Sequence, residues 1–194
     1  MKDAARFSTK KIASLAILLA LCVIGANIKI LGSIALDSFP AFIGSIVLGP
    51  LAGAFLGFFG HMISALLAGF PNSLPIHLII AALMGLCMFC YSWTRKKLAK
   101  HRMAAAAVSM LVGYVINVPL DLLLLYPIMG PVVFMLFAPL SIATIVNLGL
   151  SEVVILGIPE NTSKSSQQNK KKRSSHYGSE TRRKSTGDQR NLSD

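Results

Sequence analysis

The positive charges of this chain constrain its fold more tightly than any other feature. Of nineteen lysines and arginines, eighteen fall within residues 2–11, within 95–102 or after Pro159, and long apolar stretches fill the intervals. A hydrocarbon core about 30 Å thick is crossed by roughly 20 apolar residues of helix, and basic loops stay on the cytoplasmic side during insertion. The charge pattern therefore describes a membrane topology, and only Lys29 stands outside it.

With 54% hydrophobic and 14% charged residues, the sequence is too apolar for a soluble domain. Predicted spans run over 11–28, 38–48, 51–69, 74–93, 103–125 and 132–158. The turns between them fall at the loop 29–36, at Gly49-Pro50, before Leu74, in the basic loop 95–102 and at Tyr126-Pro127-Ile128-Met129-Gly130-Pro131. This predicts an all-α membrane protein of six transmembrane helices with both termini cytoplasmic, since an even number of crossings puts all three basic clusters on one side. Residues 1–158 form the membrane domain. Residues 159–194, rich in Ser, Lys, Arg, Gln and Asn, form a basic cytoplasmic tail expected to be disordered. Lys10 and Lys11 before the apolar run also fit a signal peptide, the rival reading of residues 1–26.

Span three carries Gly53, Gly57, Gly60, Ser64 and Ala68 at helical spacing. Such a smooth face lets helix backbones approach closely in lipid, so this span is expected at the centre of the bundle. Cys22, Cys87 and Cys90 lie in apolar segments and imply packing rather than disulfides.

Polar groups at membrane depth are costly and mark candidate sites. Asn117 and Asp121, one helical turn apart on a Leu-rich span, form the strongest pair. Asp37, His61 and His77 fall with them in the outer half, against Asn147, Ser151 and Glu152 in the inner half, so an outward-facing pocket is expected. Each has a structural alternative: Asp37 as a helix cap or a partner of Lys29, the histidines as helix-to-helix hydrogen bonds, Glu152 as a partner of the basic loop. The four histidines lack metal-ligand spacing, and no P-loop, GxSxG, HExxH or paired carboxylates occur. The reading is of a protein that is not an enzyme and holds neither metal nor cofactor.

In its six-span size, in Ala16-Ile17-Leu18-Leu19-Ala20 of span one, and in Leu48-Gly49-Pro50-Leu51-Ala52-Gly53-Ala54 leading into a Gly-rich third span, the chain resembles the S component, or substrate-capture subunit, of energy-coupling factor vitamin transporters. That resemblance implies high-affinity capture of a vitamin or vitamin precursor, with Ala16 and Ala20 docking on a transmembrane T component driven by two ATPase subunits. The segments Gly32 to Ser38, Gly60-His61 and Gly69 to His77 are similar to the alpha-ribazole transporter subgroup, implying a neutral nucleoside ligand held by Asp37, His61, His77, Asn117 and Asp121. His61 departs from the family, where many members carry an acid after the third-span glycine. The alternatives are a solitary ion-coupled carrier, which would favour acids at mid-depth or inverted repeats, and a membrane enzyme or assembly factor, which would show a reactive constellation on one face; neither pattern is evident.

Overall fold

The computed structural model describes residues 9–27, 29–30, 34–71 and 73–157. The chain divides into a unit Met1–Ile155 and a unit Leu156–Asp194. The expectation of a disordered tail falls outside the described residues.

The first unit is helical. The order is α1 (Thr9–Asn27), a ladder of two-residue strands β1 (Lys29–Ile30) and β2 (Ile34–Ala35), α2 (Phe39–Leu48), α3 (Pro50–Leu67), α4 (Leu74–Lys97), α5 (Arg102–Val115), a π-helical turn Ile116–Leu120, α6 (Asp121–Met129), a 3₁₀ segment Gly130–Leu136, and α7 (Phe137–Gly157). Among the described residues four stretches are long and apolar enough to cross a membrane: α1, α3, α4 and the run Arg102–Gly157, whose 56 residues turn back at the 3₁₀ segment. At ten residues, α2 reaches only about 15 Å at 1.5 Å per residue.

The local chemistry accounts for the breaks. Gly49 takes φ +108°, a conformation that L side chains avoid, and Pro50 opens α3 directly behind it. At the other expected turn the structure differs from the sequence reading. Helix α6 passes through Tyr126 and Pro127 and stops only at Gly130, whose φ of +64° reverses the chain. No break occurs at Pro139, which lies in the first turn of α7, where its missing N–H costs nothing.

Helix α3 is one-sided. Gly53, Gly57 and Gly60 are buried while Leu51, Phe55 and Phe59 on the opposite side are exposed. A Cβ on Gly57 would stand 2.6 Å from the Met84 carbonyl oxygen, and one on Gly53 would stand 2.3 Å from Ser45 Cβ. The smooth face therefore serves close contact with α4 and α2. The centre belongs to α4, of whose spanning window 50% is buried against 28% for α3. Around α4 the core gathers Cys22, Phe42, Leu56, Met88, Tyr91 and Leu148, with Phe42 edge-on to Tyr91 at 5.0 Å.

One end of the bundle is fixed by charge. Arg95 of α4 pairs with Glu152 of α7, whose Oε1 also accepts the Tyr91 hydroxyl at 2.5 Å. Arg102 at the start of α5 donates to the Ile155 carbonyl at 3.3 Å. The expected partnership of Glu152 with the basic loop thus takes a definite form, joining α4, α5 and α7.

Candidate ligand-binding site

The polar groups expected to converge do so at the end of the bundle away from this ion pair. The π-helical turn is the local cause on one wall. Pro119 lacks an N–H and leaves a carbonyl of the preceding turn without its helical donor; the chain passes it as a π-helical turn, Ile116–Leu120, which carries Asn117 and leads directly into Asp121. Both are buried, at 7% and 4% exposure. Asn117 Nδ2 donates to Thr144 Oγ1 of α7 at 2.7 Å.

The opposite wall is the head of α2. Its Phe39 N–H, left over at the helix start, donates to Asn147 Oδ1 at 2.8 Å, and Asn147 Nδ2 donates to the Ala143 carbonyl at 2.8 Å. Ser151 Oγ donates to the Asn147 carbonyl at 2.6 Å, and it also reaches the Phe39 carbonyl at 3.2 Å. Ser38 Oγ donates to Asp37 Oδ1 at 3.0 Å. In this turn outside the helices, burial pushes the Asp37 carboxyl above the usual carboxylate range, and the Ser38 hydrogen bonds pull it back only in part. Asp37 makes no cap on α2: the N-cap residue is Ser38, whose side chain makes no capping bond, and the side chain that meets the Phe39 N–H is Asn147. Its expected alternative partner, Lys29, has a side chain outside those described.

Two adjoining cavities lie between these walls. The first, about 190 Å³, is the richer in polar side chains, with Asp37, Ser38, His61, Asn117, Asp121 and Asn147 beside Ile80, Met84 and Leu140. The second, about 250 Å³, continues it toward Leu122, Leu125, Leu136 and Pro139. His61, Ile80, Asp121, Leu140 and Ala143 border both. Small-molecule sites start at about 300 Å³, so a ligand must occupy the two together. No lysine or arginine lines either.

Asp121 sits where the polar and apolar halves meet, and its Oδ1 is buried with no hydrogen-bond partner. Buried polar atoms are nearly always paired, so an unpaired carboxyl oxygen on a residue that borders both cavities marks Asp121 as a candidate ligand contact. His61 Nε2 lies 3.2 Å from His77 Nδ1, one donating and the other accepting. His77 borders neither cavity and reaches them only through His61, with Phe70 on its other side at 5.7 Å between ring centroids. Among the described residues no three His, Cys, Asp or Glu side chains meet as a metal site would require.

Of the residues singled out from sequence, Asp37, His61, Asn117 and Asp121 share one cavity, and His77 stands directly behind. Ala16 and Ala20 lie elsewhere, on the exposed face of α1 beside Ile12, Ile17 and Ile24. Sequence reasoning placed Ser38 beside Asp37 at the outer end without making it a site residue, left out Thr144 and assigned Asn147 to the other half. Thr144 lies three residues before Asn147, a spacing that places both on one helix face and was a legible signal.

A family model for the ECF-type riboflavin transporter S component matches residues 6–161. The chain belongs to that family. It is accordingly a membrane vitamin-uptake subunit, a component of an energy-coupling factor (ECF) transporter and not an enzyme. Members of the family bind a vitamin and work with T and ATPase subunits. No curated protein matches the chain, and no solved structure does.

Proposed function

We propose that this S component captures, from outside the cell, a neutral vitamin or vitamin precursor that joins a fused aromatic ring to a ribose-derived polyol. The observation that carries this reading is Asp121, with an unpartnered carboxyl oxygen, bordering both a cavity that holds most of the site's polar side chains and its apolar continuation. Hydroxyl groups satisfy such an acceptor, and the Leu122, Leu125 and Leu136 wall takes a ring. Two carboxyl groups and no cation on the lining disfavour a carboxylate or phosphate on the ligand. Riboflavin, to which the family's description points, and alpha-ribazole, to which the sequence segments around Asp37 and His77 point, both fit that chemistry and share a dimethylated ring.

Six crossings place the cavity in the outer half. In this topology α2 runs inward from the cavity, α3 returns outward, and the Arg102–Gly157 run crosses twice. Ala16 and Ala20 on the bare face of α1 then meet a T component driven by two ATPases. Uptake follows from capture on this subunit and ATP use by its partners.

The test is thermal unfolding of the purified, detergent-solubilised full chain with riboflavin, alpha-ribazole, riboflavin 5′-phosphate and a carboxylated vitamin. A ligand at a hundred times its Kd stabilises the folded state by about 2.7 kcal/mol. Stabilisation by riboflavin or alpha-ribazole and not by the two anions is expected, and which of the two acts settles the substrate. Stabilisation by the anions alone would overturn the reading.

A further inference from the structure

A third cavity, about 220 Å³, lies at the opposite end, where α1, the α2–α3 turn and the end of α4 meet. Its charged wall is Lys11 and Lys96, brought together from helices 85 positions apart in the sequence, and the rest is Leu15, Leu48 and the turn from Gly49 to Ala52. The turn is shaped to admit the cation. A Cβ on Gly49 would stand 3.3 Å from Lys96 Nζ, and the φ of +108° there already disfavours any other residue.

Neither lysine has a carboxylate partner among the described residues, where Arg95–Glu152 is the ion pair formed. No acid lines the cavity. The neighbouring Lys97 is differently placed, over the Trp93 ring at 5.4 Å, and a half-exposed tryptophan with a lysine beside it marks the level of a membrane interface. From the cavity mouth an apolar track runs along α3 through Leu51, Phe55 and Phe59, which are 77%, 44% and 42% exposed, the two rings 4.4 Å apart. Two unneutralised cations over an apolar cleft, leading onto an exposed apolar stripe, match a molecule with an anionic head and a hydrocarbon tail.

We propose that this cavity binds the phosphate headgroup of an anionic phospholipid, with one acyl chain lying along the Leu51–Phe55–Phe59 stripe. The lipid belongs to the inner leaflet, a placement that rests on the topology proposed above. The apolar track favours a lipid over free phosphate, which would use the lysines alone. Such a lipid would bridge the ends of α1, α2–α3 and α4 at the glycine turn.

The experiment is native mass spectrometry of the full chain released from detergent, titrated with palmitoyl-oleoyl phosphatidylglycerol, phosphatidylcholine of the same chains, and glycerol 3-phosphate. One phosphatidylglycerol is expected to bind in preference to the other two. Each lysine near an anionic headgroup is worth about fivefold, so Lys11→Gln with Lys96→Gln should weaken binding about 30-fold. Lys97→Gln with Lys100→Gln should change it little. Equal retention of phosphatidylcholine, equal binding of glycerol 3-phosphate, or an equal loss in the Lys97 and Lys100 control each overturns the proposal. Unfolding temperature of both double variants establishes that they are folded, and the vitamin titration on the same samples reads the capture site independently.

Discussion

Removing the Asp121 carboxyl should move stability and ligand affinity in opposite directions. Without ligand, Oδ1 is buried and unpaired, and an unsatisfied buried acceptor costs about 1–3 kcal/mol. Asp121→Ala relieves that cost and enlarges a space that is already open on two sides. Lost packing of a side chain that borders cavity offsets part of the gain, so the ligand-free protein should keep its stability or gain up to about 1 kcal/mol. With ligand the same oxygen accepts a hydroxyl, a hydrogen bond worth about 1.5–3 kcal/mol if the carboxyl is ionised. Its loss weakens binding by about 10- to 150-fold. Calorimetric titration of the preferred vitamin and thermal unfolding of the ligand-free protein, both in one detergent, measure the two quantities. A ligand-free protein destabilised by more than about 2 kcal/mol, with affinity lost to the same extent, would show that Asp121 holds the fold and would refute the reasoning.

Other predictions follow from the same geometry. Gly57→Ala forces a Cβ to within 2.6 Å of the Met84 carbonyl oxygen, and should lower stability by about 1–3 kcal/mol in thermal unfolding while leaving ligand contacts in place. Glu152→Ala strips Arg95 and Tyr91 of their shared partner. Leaving a buried cation unpaired costs about 3–5 kcal/mol, so the variant should unfold early, whereas Glu152→Gln with Arg95→Met should recover much of the loss. Ala16→Trp adds bulk to an exposed face of α1 and should spare ligand binding by the isolated subunit but abolish uptake in cells carrying the partner subunits. Asp37→Asn should cost less affinity than Asp121→Ala, because burial holds the Asp37 carboxyl toward its neutral form, which an amide resembles; titration calorimetry compares them directly.

What the sequence disclosed and what it hid divide along physical lines. Charge clusters and apolar lengths act over whole segments, so the helices, the Gly49-Pro50 reversal and the all-helical character were legible. The convergence of Asp37, His61, Asn117 and Asp121 was legible because each is an expensive group in an apolar span. Less visible was the manner in which Pro119 is absorbed. A proline inside a helix allows a kink, a stop or a π-helical turn, and the choice depends on which neighbours satisfy the freed carbonyls, here a matter of tertiary packing. The continuation of α6 through Pro127 was hidden for the same reason. The central role of α4 was masked by composition: its small-residue face is poorer than that of α3, yet Tyr91, Met88 and Cys87 bury it from several sides.

The position of the cavity follows from the shortness of α2. A ten-residue helix covers about half of a hydrocarbon core about 30 Å thick. In the proposed topology its polar head, with the unpaired N–H groups of a first turn, therefore lies at mid-depth. Phe39 N–H must find an acceptor there, and it finds Asn147 of α7, ten residues beyond the start of that helix. This explains why Asn147, which by its position along a full crossing belonged to the other half, stands in the site. The space beside the head of α2 that a full-length helix would fill is bordered by α3, α4, the π-helical turn and α7, and its polar lining begins with the residues that terminate α2. A site of this kind needs no charged anchor of its own: the truncated helix creates the volume, and the groups that satisfy its end supply the first hydrogen-bonding partners for a ligand.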